Sequence, residues 1–224
     1  MPTDPAANLP EYYSHRAPEY EAMWRRNDPV RQAEQAAIVG AMRTWFRGRR
    51  VLEVACGTGY WTQFLVPSAE RVCGIDVSAQ MLALARAKPL PPEKVTWLQA
   101  DAYSLSAVPG QFDAGLANFW FSHVPRTRLG EFLAGFHRRI GAAAVVFMAD
   151  NVFVPGLGGE CVTVPGSQDT FKRRELADGS KHIVLKNYYD ADRLRRILEP
   201  WSAALSVRVG QCFWWVQYQV RESP

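Results

Sequence analysis

The sequence contains no apolar run of the roughly eighteen residues that a membrane helix needs. Its opening, MPTDPAANLPEYYSHR, lacks the basic-then-apolar order of a signal peptide. A cytoplasmic protein with no membrane partner is the expectation. Cysteine is scarce: Cys56, Cys73, Cys161 and Cys212 stand far apart and form no C-x-x-C pair. That spacing points to neither a zinc site nor a disulfide framework, and no metal is expected. Excess charge is also lacking, because 26 Lys and Arg against 22 Asp and Glu leave a net charge of +4. Local clusters at Arg47, Arg49 and Arg50 and at Lys172, Arg173 and Arg174 fall short of the continuous basic face of a nucleic-acid binder. Nucleic acid is not expected as a partner. There are no internal repeats or low-complexity tracts, so 224 residues, 48% of them hydrophobic, read as one domain with one well-buried core.

Residues 1 to 10, small and proline-bearing, read as a loose tail. EYYSHRAPEYEAMWRR, 11 to 26, mixes aromatics with charges and reads as a short helical cover. Asp28-Pro29 is an N-cap followed by proline at the first helical position. Ile38, Met42 and Trp45 then share one helix face. From residue 50, apolar strands alternate with helices. The strands are RVLEVA, RVCGID, VTWLQAD, QFDAGLANF and AAAVVFMAD; the helices follow Gly59, Ser78 and His123. Five such units in about a hundred residues specify a parallel sheet covered on both faces. TFKRREL-ADGS-KHIVLKNYY then reads as a β-hairpin about an Asp-Gly turn. DADRLRRILEP is a helix stopped at Pro200, and ALSVRV-GQ-CFWWVQYQV is a second hairpin that closes the sheet. The expected fold is α/β: a Rossmann-like, doubly wound seven-stranded sheet, mostly parallel, with an antiparallel C-terminal hairpin. Its parts are an N-terminal cover (1–28), a cofactor-binding core (29–150), a substrate-covering insert (151–189) and a C-terminal helix and hairpin (190–224).

VLEVACGTGYWT, residues 51 to 62, combines a buried strand with a carboxylate, Glu53, and two glycines at its end. In a doubly wound sheet ligands bind beyond the carboxyl ends of the strands. Gly57 and Gly59 let bare backbone approach such a ligand, and the next helix points its N–H groups at it. The third glycine of the dinucleotide pattern G-x-G-x-x-G is missing, since Thr62 stands there. Glu53 is also poorly placed for a pyrophosphate, and both features argue against a nicotinamide dehydrogenase. A ligand with a cationic end suits Glu53 better. The next strand ends in Asp76, about twenty residues on, the interval for a carboxylate on ribose hydroxyls; the one after ends in Asp101.

LEVACGTGYW, GIDVSAQML, LQADAYSL and FDAGLANF, in that order and spacing, resemble successive motifs of the class I S-adenosylmethionine-dependent methyltransferases. The resemblance covers roughly residues 12 to 220. It implies S-adenosylmethionine as cofactor, with Gly57 and Gly59 along its methionine part, Glu53 on its ammonium, Asp76 on the ribose and Asp101 on the adenine amine. Met81 packs on adenine in this reading, and Ala55, Trp61, Val77, Ala102 and Asn118 complete the cofactor set. Many members have glycine where this chain has Ala55.

The end of the fourth strand, ANFWFSHVP, lacks the Asn/Asp-Pro-Pro-aromatic tetrad common in DNA and RNA amino-methyltransferases, which favours a small-molecule acceptor. APEYEAMW, GTGYWT, HVP and RRELADGSKHIVLKNYY together resemble a bacterial subgroup that includes phosphonate O-methyltransferases. That narrower likeness implies Tyr20, His123, Arg174 and Lys186 as acceptor-site residues, with Tyr12, Tyr13 and His182 as weaker candidates and Trp24 in the aromatic cover. Arg174 and Lys186, twelve residues apart on opposite arms of the hairpin, are expected to face each other and clamp an anion. His123 is either a base or the partner of a loop. The rival readings are a non-catalytic S-adenosylmethionine-binding module and the nicotinamide dehydrogenase. A monomer and a homodimer are equally compatible with the sequence.

Overall fold

A computed structural model describes residues 8–221. The chain opens with α1 (Leu9–Arg16) and a 3-10 helix over Ala17–Arg25. Leu9 is buried at the start of α1, so the expected loose tail ends before it, and residues 1–7 of that tail lie outside the described residues. α2 (Pro29–Trp45) begins as its sequence dictates, with the Asp28 carboxylate accepting the Arg31 N–H at 3.0 Å and proline in the first turn.

The units β1 (Arg50–Val54), α3 (Thr62–Leu65), β2 (Arg71–Asp76), α4 (Ala79–Arg86), β3 (Val95–Gln99), β4 (Ala114–Leu116), α5 (Leu129–Ile140) and β5 (Val145–Asn151) follow. The insert contributes β6 (Glu160–Thr163), β7 (Thr170–Glu175) and β8 (Lys181–Leu185). α6 (Ala191–Leu198), β9 (Ser202–Val209) and β10 (Phe213–Val220) complete the chain. The main sheet has seven strands in the order β3-β2-β1-β4-β5-β10-β9, parallel except for the two antiparallel pairings of β10. The expected seven-stranded, Rossmann-like fold is therefore present.

Two details differ from expectation. The hairpin of the insert gains a third strand, β6, on its β7 edge, making a separate antiparallel sheet. ECVT is short, mostly exposed and preceded by two glycines, so no alternation marked it. β4 spans three residues rather than nine. Asp113 spends its carboxylate on the Arg50 N–H at 2.8 Å, and Phe119 turns into the left-handed region at φ +58.

The sheet separates two apolar clusters. Leu52, Val54 and Ile75 pack toward α5 and α6, while Val51 and Val72 pack toward α2, α3 and Trp24. β1 sends alternate residues to opposite faces, so Glu53 shares its face with Val51 and points under α3. Order reverses between β1 and β4, and the crevice above their carboxyl ends is where such sheets bind ligands.

Candidate active site

A chamber of about 440 Å³ occupies that crevice. Its floor is the β1–α3 loop, where Ala55 (φ +50), Gly57 (φ +57) and Gly59 (φ +71) all take left-handed conformations. Ala55 does so with a Cβ, at the position where the resemblance noted glycine, so this turn carries backbone strain beside the chamber. A Cβ on Gly57 would sit 3.8 Å from the Tyr20 ring, which lies over the loop. Gly59 serves packing instead: its Cβ would come within 2.7 Å of the Trp97 ring.

Asp76 fastens the floor to the neighbouring strand tip. Its Oδ2 accepts the Gly57 N–H at 2.8 Å and its Oδ1 the Ser78 N–H at 2.9 Å. Burial raises the carboxyl pKa and these two donors oppose the rise. The Ser78 hydroxyl caps α4 through the Met81 N–H at 3.2 Å and meets the Ser14 hydroxyl at 2.9 Å, which ties the N-terminal cover to the rim. Met81, Val77, Asp101 and Ala102 line the same end. Asp101 is exposed and accepts the Tyr103 N–H at 2.9 Å. The Arg128 guanidinium closes that end by lying 3.6 Å above the Tyr103 ring.

Four expected cofactor residues lie outside the chamber wall. Gly59 packs on Trp97, and Trp61 stacks on Phe119 at 5.3 Å between ring centroids. Asn118 donates to the Met42 sulfur at 3.2 Å and leaves its buried Oδ1 without a partner among the described residues. Glu53 is buried beneath α3 and accepts the Thr62 hydroxyl at 2.6 Å. Burial raises its pKa to about 8, so at neutral pH it carries a proton rather than the charge expected of it.

The opposite wall comes from remote segments. Tyr13 and Tyr20 of the cover line it with His123, which follows β4. The Leu185 carbonyl, 2.6 Å from His123 Nδ1, can only accept, so Nδ1 carries the ring proton. Nε2 is then a lone pair and accepts the Tyr13 hydroxyl at 2.7 Å. Burial and the nearby Lys186 lower the His123 pKa to about 3. Of the two roles left open for His123, this geometry is that of a neutral partner for a loop carbonyl and a phenol. Burial also raises the Tyr13 and Tyr20 phenols.

The expectation that Arg174 and Lys186 face each other is corrected by the register. Arg174 pairs with His182, whereas Lys186 lies past the end of β8 and donates its N–H to the Thr170 carbonyl at 2.8 Å. Lys186 is buried, and its Nζ meets Asp150 Oδ1 at 2.7 Å and the Ser122 hydroxyl at 2.6 Å. Asp150 also accepts the Ser122 and Asn151 N–H groups at 3.0 and 2.7 Å. Burial alone would raise the Asp150 pKa, but Lys186 holds it ionised. The Lys186 charge is thus spent inside the protein. Arg174 and Tyr12 line a second cleft behind the tyrosines, and His182 packs on Tyr12 at 5.3 Å outside both cavities. Sequence reasoning missed Asp150, although FMAD ends its strand in an acid as GID and LQAD do.

Residues 51–141 match the family described as "Methyltransferase domain". Putative methyltransferase YqeM of Bacillus subtilis is 38% identical over 65 residues, 29% of this chain and 26% of that protein. Demethylmenaquinone methyltransferase of Staphylococcus aureus is 37% identical over 82 residues, 35% of this chain and 34% of that protein. The alignments thus span between about a quarter and a third of these two relatives. The DhpI–SAH complex is 28% identical with a TM-score of 0.77, over 97% of this chain and 98% of that one. The DhpI–SAM–HEP complex is 28% identical with a TM-score of 0.74, over 93% and 94%. No helix among the described residues is long and apolar enough to cross a membrane. With the strand order and the acid-tipped strands, these likenesses show a class I methyltransferase fold that carries a match to a methyltransferase domain over residues 51–141.

Proposed function

We propose that this protein transfers a methyl group from S-adenosylmethionine to a small molecule that arrives as an anion. The observation that carries the reading is the joint Asp76–Gly57 floor, a buried carboxylate bonded to the glycine loop at 2.8 Å, with Asp101 at the next strand tip. A sulfonium nucleoside supplies an already activated methyl group. The residues fit it. Asp76 retains lone pairs for ribose hydroxyls, Met81 and Val77 offer an apolar face for a base, and Asp101 has one carboxylate oxygen without a partner among the described residues. The orphaned Asn118 Oδ1 is a buried acceptor next in the chain to Phe119, which lines the chamber. Glu53 would meet the cationic end only from beneath the loop.

On the acceptor side the chain's task is to position and to exclude water. His123 is a poor base, with Nε2 already bonded to Tyr13 and its pKa depressed to about 3. The nucleophile therefore has to reach the chamber already deprotonated, which favours an oxyanion over a neutral alcohol or an ammonium. A small-molecule acceptor also agrees with the likeness to DhpI, one structure of which holds SAM together with HEP.

The test combines calorimetry of S-adenosylhomocysteine binding with a screen of small organic acids for transfer of a deuterated methyl group. Micromolar binding and a mass gain on an acid are expected. Absence of S-adenosylhomocysteine binding would end the reading. Binding without transfer to any acid would leave the non-catalytic module in its place.

A further inference from the structure

The loop Gly57-Thr58-Gly59 carries a single side chain between two glycines in left-handed conformations, at φ +57 and +71. Glycine loses more conformational freedom on folding than any other residue, so the shape of such a loop is set by whatever holds it. The sheet holds it through Asp76 on the Gly57 N–H and through the Cys56 carbonyl, which accepts the Gly59 N–H at 3.0 Å. The cover holds it as well, at three successive points. The Tyr20 ring lies over Gly57, and the Thr58 hydroxyl donates to Glu21 Oε1 at 2.7 Å. Trp24 stacks on Tyr60, with centroids 5.1 Å and planes 12° apart.

The middle point is polar and shielded. Thr58 is 1% exposed, and Lys88, just past the end of α4, brings its Nζ to the same Glu21 oxygen at 2.6 Å. Burial would raise the Glu21 carboxyl pKa, but the hydrogen bonds from Lys88 and Thr58 outweigh it and hold the group below its ordinary value. Two donors from two elements thus converge on one oxygen of the cover and fix the direction it faces. Arg25, 3.7 Å from Oε2, is largely exposed and adds little. Glu21, Thr58 and Lys88 all lie outside the chamber lining, so whatever they do for a bound molecule passes through the loop.

We propose that Glu21 is a positioning residue for the methyl donor: through Thr58 it holds the glycine loop in the shape that the donor meets. Lys88 supports it by fixing the carboxylate. The proposal rests on the reading of this loop as the S-adenosylmethionine floor, and its test separates the two.

Hydrogen exchange of the amides of residues 57–60 in the free protein reads the hold on the loop, and calorimetry with S-adenosylhomocysteine reads its consequence. Thr58→Val keeps the side-chain shape and loses the hydroxyl. It is expected to speed exchange in the loop and to weaken S-adenosylhomocysteine binding about tenfold, as for a bond to a charged acceptor. Thr58→Ser keeps the hydroxyl and should stay close to wild type in both, a rescue that a packing role for the Thr58 methyl would not give. Glu21→Ala should match Thr58→Val, and the double variant should be no weaker than either, because both remove the same bond. Arg25→Gln should change nothing. Unchanged exchange and affinity in Thr58→Val, even with a lowered thermal midpoint, overturn the proposal, and so does tighter binding by Thr58→Val than by Thr58→Ser. A wild type that fails to bind S-adenosylhomocysteine removes the donor reading instead, and the exchange rates then decide alone whether Glu21 holds the loop.

Discussion

The donor and acceptor sides of the chamber are built by different means. On the donor side Ala55, Gly57, Asp76, Met81 and Asp101 come from three consecutive strand–helix units, and the work is done by backbone turns and short carboxylates at strand tips. On the acceptor side Tyr13, His123, Asp150 and Lys186 come from four separate segments and meet through side-chain hydrogen bonds, with a backbone bond from the Asn187 N–H to the Ser122 carbonyl beside them. One half is therefore fixed by the sheet that carries it. The other holds together through a few buried polar bonds, each able to fail singly.

The largest effect expected from breaking this contrast is at Asp150. Asp150→Ala leaves the Lys186 ammonium buried beside Ser122 and should cost about 3–5 kcal/mol, read from urea unfolding. Asp150→Ala with Lys186→Met should recover most of that loss. A cost below about 1 kcal/mol would mean that the pair does not hold the insert to the sheet.

On the donor side, Asp76→Ala removes a charged acceptor and should weaken S-adenosylhomocysteine binding by about 1.5–3 kcal/mol in calorimetry, with an acceptor-side variant such as Arg174→Gln as the unaffected control. Unchanged affinity would take Asp76 out of the site.

Glu53 sharpens the comparison through pH. Its folded pKa of about 8 lies above the ordinary 4.5, so across that window the folded state keeps a proton that the unfolded chain has lost. Its contribution is fully present below about 4.5 and falls as pH rises toward 8. Over the last 1.5 units, at about 1.4 kcal/mol each, the wild type should lose about 2 kcal/mol relative to Glu53→Gln. His123 and His137, depressed to about 3 and 4 in the folded state, titrate near 6.5 only in the unfolded chain, a contribution common to both proteins that cancels in their difference. Parallel stability curves for the two proteins between pH 6.5 and 8 would show that Glu53 is ionised throughout.

The smallest effect belongs to Ala55→Gly. Relief of a left-handed alanine, about 1 kcal/mol, is nearly cancelled by the added freedom of the unfolded chain. The urea midpoint should change by less than the equivalent of about 0.5 kcal/mol. A clear gain would mean that the loop stores more strain than one residue explains.

What could be read from the linear chain follows the same division. The parallel units were legible because β1 and β2 are apolar on both faces and α4 and α5 are punctuated by caps and apolar periodicity. Acid-ended strands at regular intervals marked Asp76 and Asp101 for the same local reason. The cover at Tyr13 and Tyr20 was foreseen as an aromatic segment, but no spacing indicated that Tyr13 would bond His123, 110 residues away. β6 was hidden because a short exposed strand beside glycines carries no period.

Local information, namely glycines after a buried strand, carboxylates at strand ends and N-caps, determined the sheet and the donor side, because those features act within a few residues of themselves. Tertiary structure alone decided which charges remain free. Lys186 is neutralised by an aspartate 36 positions away, while Arg174 is left without a carboxylate among the described residues. Whether a cation is available to a ligand depends on which acid the fold brings within about 4 Å of it, and a sequence does not encode that distance locally.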